Sequence, residues 1–356
     1  MKTTITKSQL STGLNFTAGV AKSSIIPILS NVLIKKSGRN LTFTVADEVM
    51  QLKAVVATDT AEDFEFVADY ARISTIVSNL PDDSVVSFDI DEEKITIKSG
   101  RSKFNIQTLA AVDYPLIDPD ETTQTITIQQ EEFKRLIQSV SASMAVKDTR
   151  TQLNGLFFEV QGGTLTLVAS DGMRLSANAI TMDSPDIARI IPRNTVMRLV
   201  KALTTGEMTI SFSASNISFA INGNEIVSKI IDAKFPDYRR VIPSNHNQSI
   251  AISKDNLINS CKRVAIPAND KFRGVRVEIG ETMRFTCVSG KETASDEFDI
   301  AYDGKTVEMG VNADFLIDAA NAMVGDFTLS LLDSCSTAVM MKDNAGLVAV
   351  VMPMRI

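Results

Sequence analysis

Few side chains in this sequence have the types and spacing that catalysis needs. Asp89-Ile90-Asp91 sets two carboxylates two positions apart, a DxD pattern able to hold Mg²⁺ for nucleotidyl or phosphoryl transfer. The stretch Asp91-Glu92-Glu93-Lys94 also reads as a polar hairpin tip between alternating runs at 85–88 and 95–97, and that reading is preferred. The single histidine, His246, lies between two asparagines, with no Cys, Ser or carboxylate constellation around it in sequence, so neither a catalytic base nor zinc is assigned. Cys261, Cys287 and Cys335 are odd in number and lack CxxC spacing, as expected for reduced, partly buried thiols in a cytoplasmic chain. No GxxxxGK[ST] loop is present, which excludes ATP hydrolysis by a P-loop. No catalytic residue, metal or cofactor is expected.

A second kind of chemistry, phosphate contact, is carried by helix faces. A helix is expected over 131–144, where Phe133, Ile137, Val140 and Met144 form an apolar stripe widened by Leu136. Its other side carries Lys134, Arg135, Gln138, Ser139 and Ala142. Small and basic residues on a solvated face suit glancing contact with a nucleic-acid backbone. Arg193, Arg198 and Lys201 fall on a later helix, and Lys254, Lys262 and Arg263 on another. A basic face that serves only solubility has the same pattern, and the last helix dissents with Asp314 and Asp318. The net charge of −7 does not exclude nucleic acid, because acids collect elsewhere, at 62–65, 89–93 and 118–121. No zinc finger, aromatic stack or helix-turn-helix signature is evident, so any DNA contact should be blind to sequence.

These side chains must be positioned by elements, and the elements recur. A β-start followed by an amphipathic helix appears at Ile5 with Leu10 and Leu14, at Ile128 with Phe133 and Ile137, and at Ile252 with Leu257 and Cys261. The two intervals are 123 and 124 positions. Hairpin patterns follow each time, then a second helix (Ile73, Ile76, Val77 and Leu80; Val196, Leu199, Val200 and Leu203; Phe315, Leu316, Ala319 and Met323), then more strands. The pattern predicts an α+β protein of three repeated domains, 1–120, 124–245 and 249–356, each with two helices packed on antiparallel sheets. Joints are expected at 118–123 and 244–248. With no Trp and 6% aromatics, the cores should be mostly aliphatic. No run reaches the ~18 apolar residues of a membrane span, and the N-terminus lacks the apolar region of a signal peptide.

Strings spread along the whole chain carry a family resemblance: Pro27-Ile28-Leu29-Ser30-Asn31, Ser99-Gly100-Arg101-Ser102-Lys103-Phe104, Leu153-Asn154-Gly155, Asp171-Gly172-Met173-Arg174-Leu175, Phe235-Pro236-Asp237-Tyr238-Arg239-Arg240, Lys271-Phe272-Arg273-Gly274-Val275-Arg276 and Val351-Met352-Pro353-Met354-Arg355-Ile356. In that order they resemble the bacterial sliding clamps, the β subunits of DNA polymerase III. The resemblance implies a non-enzymatic processivity factor, a head-to-tail homodimeric ring around duplex DNA, opened by a separate clamp loader. A clamp paralogue for repair or a mobile element fits the same strings.

The resemblance also implies site residues. Partners such as the replicative polymerase would dock a short peptide against Arg150, Leu153, Ser170, Gly172, Met173, Arg174, Leu175, Pro236, Arg240 and Val241 on one side. Asn312, Phe315, Cys335, Thr337, Val350, Met352, Pro353, Met354 and Arg355 would complete the wall. Methionines suit a cleft that adapts to several partners. The ring contact would set Phe104 and Ile106 against Ile266 and Pro267, with Arg101 and Lys103 facing Asp296 and Glu297. Lys147 and Lys22 would join the DNA face, Lys22 standing near a position where the family usually has arginine. Met173 stands where some relatives have histidine, and Pro267 where a larger aliphatic residue is common.

Overall fold

The computed structural model describes residues 2–21, 26–59, 62–91, 93–117, 120–244, 246–268, 273–331 and 338–355. The expected residues Lys22, Cys335 and Thr337 lie outside them, as do Phe272 and the 118–119 part of the first joint.

One plan is executed three times among the described residues: a strand, a helix, four strands, a second helix and three strands. The helices are α1 (Lys7–Thr17), α2 (Tyr70–Asn79), α3 (Gln130–Val140), α4 (Arg193–Ala202), α5 (Lys254–Val264) and α6 (Ala313–Ala322). Each begins at the residue after a strand or one residue later, and polar side chains set that switch. Thr6 and Gln9 form a reciprocal capping box on α1, Asp69 accepts from the Arg72 amide at 2.7 Å, and Asn312 accepts from Asp314 and Phe315 at 2.8 and 3.3 Å. Ile5, Ile128 and Ile252, the markers of the repeat, are all buried.

The helix expected over 131–144 ends at Val140 and continues as a 3₁₀ turn, Ser141–Ser143. Phe133, Leu136, Ile137, Val140 and Met144 are nonetheless all buried, each stabilising the fold by about 1.5–3 kcal/mol. Ser139 does not sit on the solvated side. It is buried, gives its proton to the Leu136 carbonyl (2.8 Å) and accepts from the Asn178 amide (3.0 Å). A single hydroxyl can turn inward when both its hydrogen-bonding capacities are met.

Sheets run through the joints between copies. Asn224–Lys229, the last strand of the second copy, pairs antiparallel with Met50–Ala57 of the first, Glu225 opposite Lys53. Arg174–Thr181 of the second pairs with Val348–Val351 of the third, Arg174 opposite Val351. The second copy therefore divides its strands between a twelve-stranded sheet and an eight-stranded one. A four-stranded sheet completes the third copy. Two compact units result, 1–131 with 201–230 and 132–200 with 231–356.

A tyrosine pins each connecting segment. The buried Tyr114 hydroxyl accepts from the Ala46 amide at 3.0 Å and donates to the Asn31 carbonyl at 3.2 Å. Tyr238 donates to Glu159 at 2.9 Å beneath the Arg239 guanidinium, and Phe235 stacks on Phe157 at 4.6 Å. Burial pushes both phenols up to about 12, Tyr238 with help from Glu159.

Candidate functional site

The second unit brings most of the expected peptide wall together. Its first side is the turn 171–174. Asp171 Oδ1 accepts from the amides of Met173 (2.9 Å) and Arg174 (3.0 Å), and Ser170 Oγ accepts from the Gly172 amide at 3.1 Å. Gly172 has φ +89°, a left-handed conformation that a side chain would strain. Arg150 crosses this turn and donates to the Asp171 carbonyl at 2.9 Å. Its guanidinium also binds Asp148 in two-pronged fashion, at 3.0 and 2.8 Å, and holds that carboxyl down at about 2.

The second side comes from the third copy. Met352 donates its amide to the Met173 carbonyl at 2.9 Å, and Met354 donates to Gly310 at 2.8 Å. The C-terminal residues 352–354 are thus tied to both copies. Between the sides sits Arg174. Its Nε donates to Asp171 (3.0 Å), its Nη1 donates to Asp318 of α6 (2.7 Å), and its Cζ lies 4.3 Å over the Phe315 ring.

Beneath this surface, Leu153, Leu175 and Val350 are buried in one cluster with Val168, Phe235 and Tyr238. These three support the wall rather than face solvent. The apolar surface left open is Met173 (47% exposed), Val241 (42%) and Met352 (37%). Pro236, Arg240 and Arg355 are exposed, Arg240 paired with Asp237 at 3.0 Å, while Pro353 and Met354 are half-buried. The site is an apolar patch rimmed by arginines and built on rigid backbone, suited to a short peptide with apolar side chains and an acidic or carboxylate group.

The expected phosphate-facing residues divide. Arg135, Lys147, Lys201 and Lys262 are exposed and make no ion pair among the described residues. Lys134 and Arg198 are half-buried. Arg193 donates to the Met144 carbonyl at 3.1 Å, and Lys254 closes the end of α6 through the carbonyls of Asn321 (3.1 Å) and Met323 (2.7 Å). Arg263 is committed to Asp296, its Nε at 2.7 Å. Burial pushes the Asp296 carboxyl up, but Arg263 and Ser260 outweigh it and the net shift is downward.

Most residues expected at the ring contact sit on or beside two strands, one in each unit. Strand Ser102–Leu109 pairs through Ser102–Gln107 with Lys94–Ser99 and through Thr108 and Leu109 with Phe64–Asp69, and among the described residues no strand pairs with the second side of 102–107. Arg101 and Lys103 are exposed beside it. Phe104, Asn105 and Ile106 line a groove of about 440 Å³ with Arg72, Thr75 and Ile76 of α2. In the other unit, Glu292–Asp299 is the edge of the four-stranded sheet. Asp296 and Glu297 lie on it, Glu297 bound to Arg284 at 2.7 Å. Ile266, in the turn after α5, is 79% exposed, and Pro267 is half-buried.

Several participants escaped the sequence reading. Asp318 counted there only as an acid against the basic trend, and Asp171 only as part of a string. An Asp-Gly pair in a turn was the available signal for Asp171. For Asp318, pairing with a residue 144 positions away left no local trace. Asp89 lies in strand Val85–Ile90 opposite Thr96, and Asp91 donates its amide to the Lys94 carbonyl at 3.0 Å, so the DxD stretch is the arm and start of a hairpin. His246 is half-buried, its Nε2 3.5 Å from the Ala338 carbonyl. Cys261 is buried, which pushes its thiol up to about 12 and makes it unreactive. No helix among the described residues is long and apolar enough to cross a membrane.

Comparison with known proteins gives a consistent result over the whole chain. Family profiles for the DNA polymerase III beta subunit match in order: the N-terminal domain at residues 1–118, the central domain at 127–237 and the C-terminal domain at 239–355. The beta sliding clamp of Pseudomonas aeruginosa is 33% identical over 367 residues, and that of Escherichia coli 31% over 366, each covering 100% of both chains. The crystal structure of the DNA polymerase III subunit beta from Pseudomonas aeruginosa matches with a TM-score of 0.96 at 31% identity, over 100% of both chains. A sliding clamp from the same organism bound to griselimycin matches at 0.95 and 31%, again over 100% of both chains. The three-fold plan, the paired-strand joints and these matches agree: the chain belongs to the DNA polymerase III beta subunit family, the bacterial sliding clamps.

Proposed function

We propose that this chain is a DNA sliding clamp, a non-catalytic processivity factor whose two copies close head to tail around duplex DNA. The observation that carries the proposal is the match of all three family domains, in order, over the full chain. Two open sheet edges support the head-to-tail contact, which would join 102–109 and α2 of one copy to 292–299 and Ile266 of the next. A heterologous contact that closes makes a ring. Arg135, Lys147, Lys201 and Lys262 would face DNA, with Lys134 and Arg198 beside them. Arg193, Lys254 and Arg263 would serve mainly to brace the fold. Contact of this kind is electrostatic, salt-dependent and blind to sequence.

The patch around Met173, Arg174, Phe315 and Met352 would receive clamp-binding peptides of the replicative polymerase, the clamp loader and other partners. Griselimycin is a second candidate ligand, since a related clamp binds it. The domains would divide at 1–120, 124–245 and 249–356, and the protein would work in the cytoplasm beside the chromosome. The test is retention on circular and linear DNA after loader-assisted assembly. A topological link is expected to survive high salt on the circle and to be lost through free ends. Equal loss from both forms rejects the encircling mechanism.

A further inference from the structure

We propose that Asp318 is a positioning residue for the peptide cleft: from α6 it holds Arg174 over the ring of Phe315 and so fixes the spacing of the cleft's two walls. The inference rests on the peptide-cleft reading above. Acid on α6 departs from the basic residues that α3, α4 and α5 carry. The structure gives both acids an arginine: Asp314 meets Arg273 at 3.4 Å, and Asp318 meets Arg174 at 2.7 Å.

Of the two pairs, only the second bridges copies. Arg174 belongs to the second and Asp318 to the third. Arg174 stands at the end of a strand pair, opposite Val351, where the ladder between the copies gives out. One further main-chain bond follows, from Met352 to Met173. Beyond it the tail leaves for Gly310, and the opening is spanned by side chains. Asp171 cannot perform the bridging, because its carboxylate is spent within its own turn on two amides and on Arg174 Nε. Asp318 alone of the two carboxylates reaches across. The guanidinium it holds is mostly buried, so its other options are the face of Phe315 or the cleft itself. A two-carboxylate seat with an aromatic floor fixes a planar guanidinium in one orientation, as a single carboxylate does not. Without Asp318, Arg174 keeps one anchor, pivots about it, and leaves Phe315 uncovered beside Met352.

The test is fluorescence anisotropy on the full-length dimer with a labelled clamp-binding peptide from the replicative polymerase. Wild type is compared with Asp318→Asn, Asp318→Glu and a chain lacking residues 352–356. Asp318→Asn is expected to weaken binding about five- to tenfold, a modest figure because its carboxylate is part-exposed and screened. Asp318→Glu, which restores the charge, should return to within about twofold of wild type on the same reasoning. Methyl NMR should show Met173 and Met352 shifting in Asp318→Asn while Met208, buried in the other unit, stays fixed. Peptide that fails to bind wild type, or binds the truncated chain equally well, rejects the cleft itself. Tight binding to wild type and Asp318→Asn alike overturns the role of Asp318 and leaves the cleft standing. Loss without rescue by glutamate, or with Met208 moving too, marks a general packing defect and overturns it as well.

Discussion

Helices α4 and α6 occupy the same place in successive copies, yet their outer faces have opposite sign. Both follow a strand directly, and both bury an aliphatic row: Val196 and Leu199 in α4, Leu316 and Ala320 in α6. On the outside, α4 carries Arg193, Arg198 and Lys201, and α6 carries Asp314 and Asp318. The duplicated scaffold dictates the inner face, because the sheet beneath must be covered whatever the helix does. It leaves the outer face free, and each helix takes charge to suit its neighbours. Around α6 these are two arginines. On α4, Arg193 turns back to a carbonyl and Lys201 projects into solvent.

The inner faces are the shared part, and cutting into them should have the largest effect. Leu199→Ala and Leu316→Ala should each cost about 2–5 kcal/mol, since both side chains are fully packed. Thermal or urea denaturation of the two variants checks this, and a cost near zero in one would mean the inner faces are not equivalent. Next comes the part that differs. The pair Arg135→Glu with Lys201→Glu should weaken direct affinity for short linear duplex, where no topological link holds the protein, about tenfold or more and flatten its salt dependence, leaving peptide affinity alone. Equal affinity of the variant for linear duplex would remove these residues from the DNA face.

The smallest effect concerns the joints, where the same contrast appears between two tyrosines. Among the described residues Tyr114 bonds only backbone, whereas Tyr238 bonds a carboxylate. Both phenols are pushed up to about 12 from the ordinary 10. The folded chain therefore holds these protons more tightly than the unfolded one. The stabilisation is complete below about pH 10 and is lost as pH rises towards 12. Tyr114→Phe should cost about 1 kcal/mol at neutral pH and reduce this alkaline loss. Denaturation midpoints measured from pH 8 to pH 12, against ultraviolet titration of the phenols, decide it. An unchanged alkaline slope in the variant would remove Tyr114 as a contributor.

Much of the fold was legible because its signals are local. Ile5, Ile128 and Ile252 mark strands that lead into helices, and the apolar rows predict which helix faces are covered. The hairpin that pairs 85–90 with 94–99 could be read from acids between alternating runs. The peptide wall could be listed only through family strings, and Cys335 and Thr337 fall outside the described residues. Ser139 was placed on the wrong face, because helical spacing cannot foresee that Asn178 would satisfy its hydroxyl. The basic set was legible as residue types but not as roles. Nothing near Arg263 or Lys254 announces that Asp296 or the end of α6 would take up their charge.

The order of residues along the chain set the repeat, the succession of strands and helices in each copy, and which side chains are apolar enough to be covered. Those follow from periodicity and capping, which act over a few residues. Only the tertiary structure decided that sheets continue across the joints, that the second copy is shared between two compact units, and that an acid on α6 meets an arginine 144 positions earlier. Strand pairing and ion pairing join residues distant along the chain, and their energy depends on a geometry that exists only once the chain is folded.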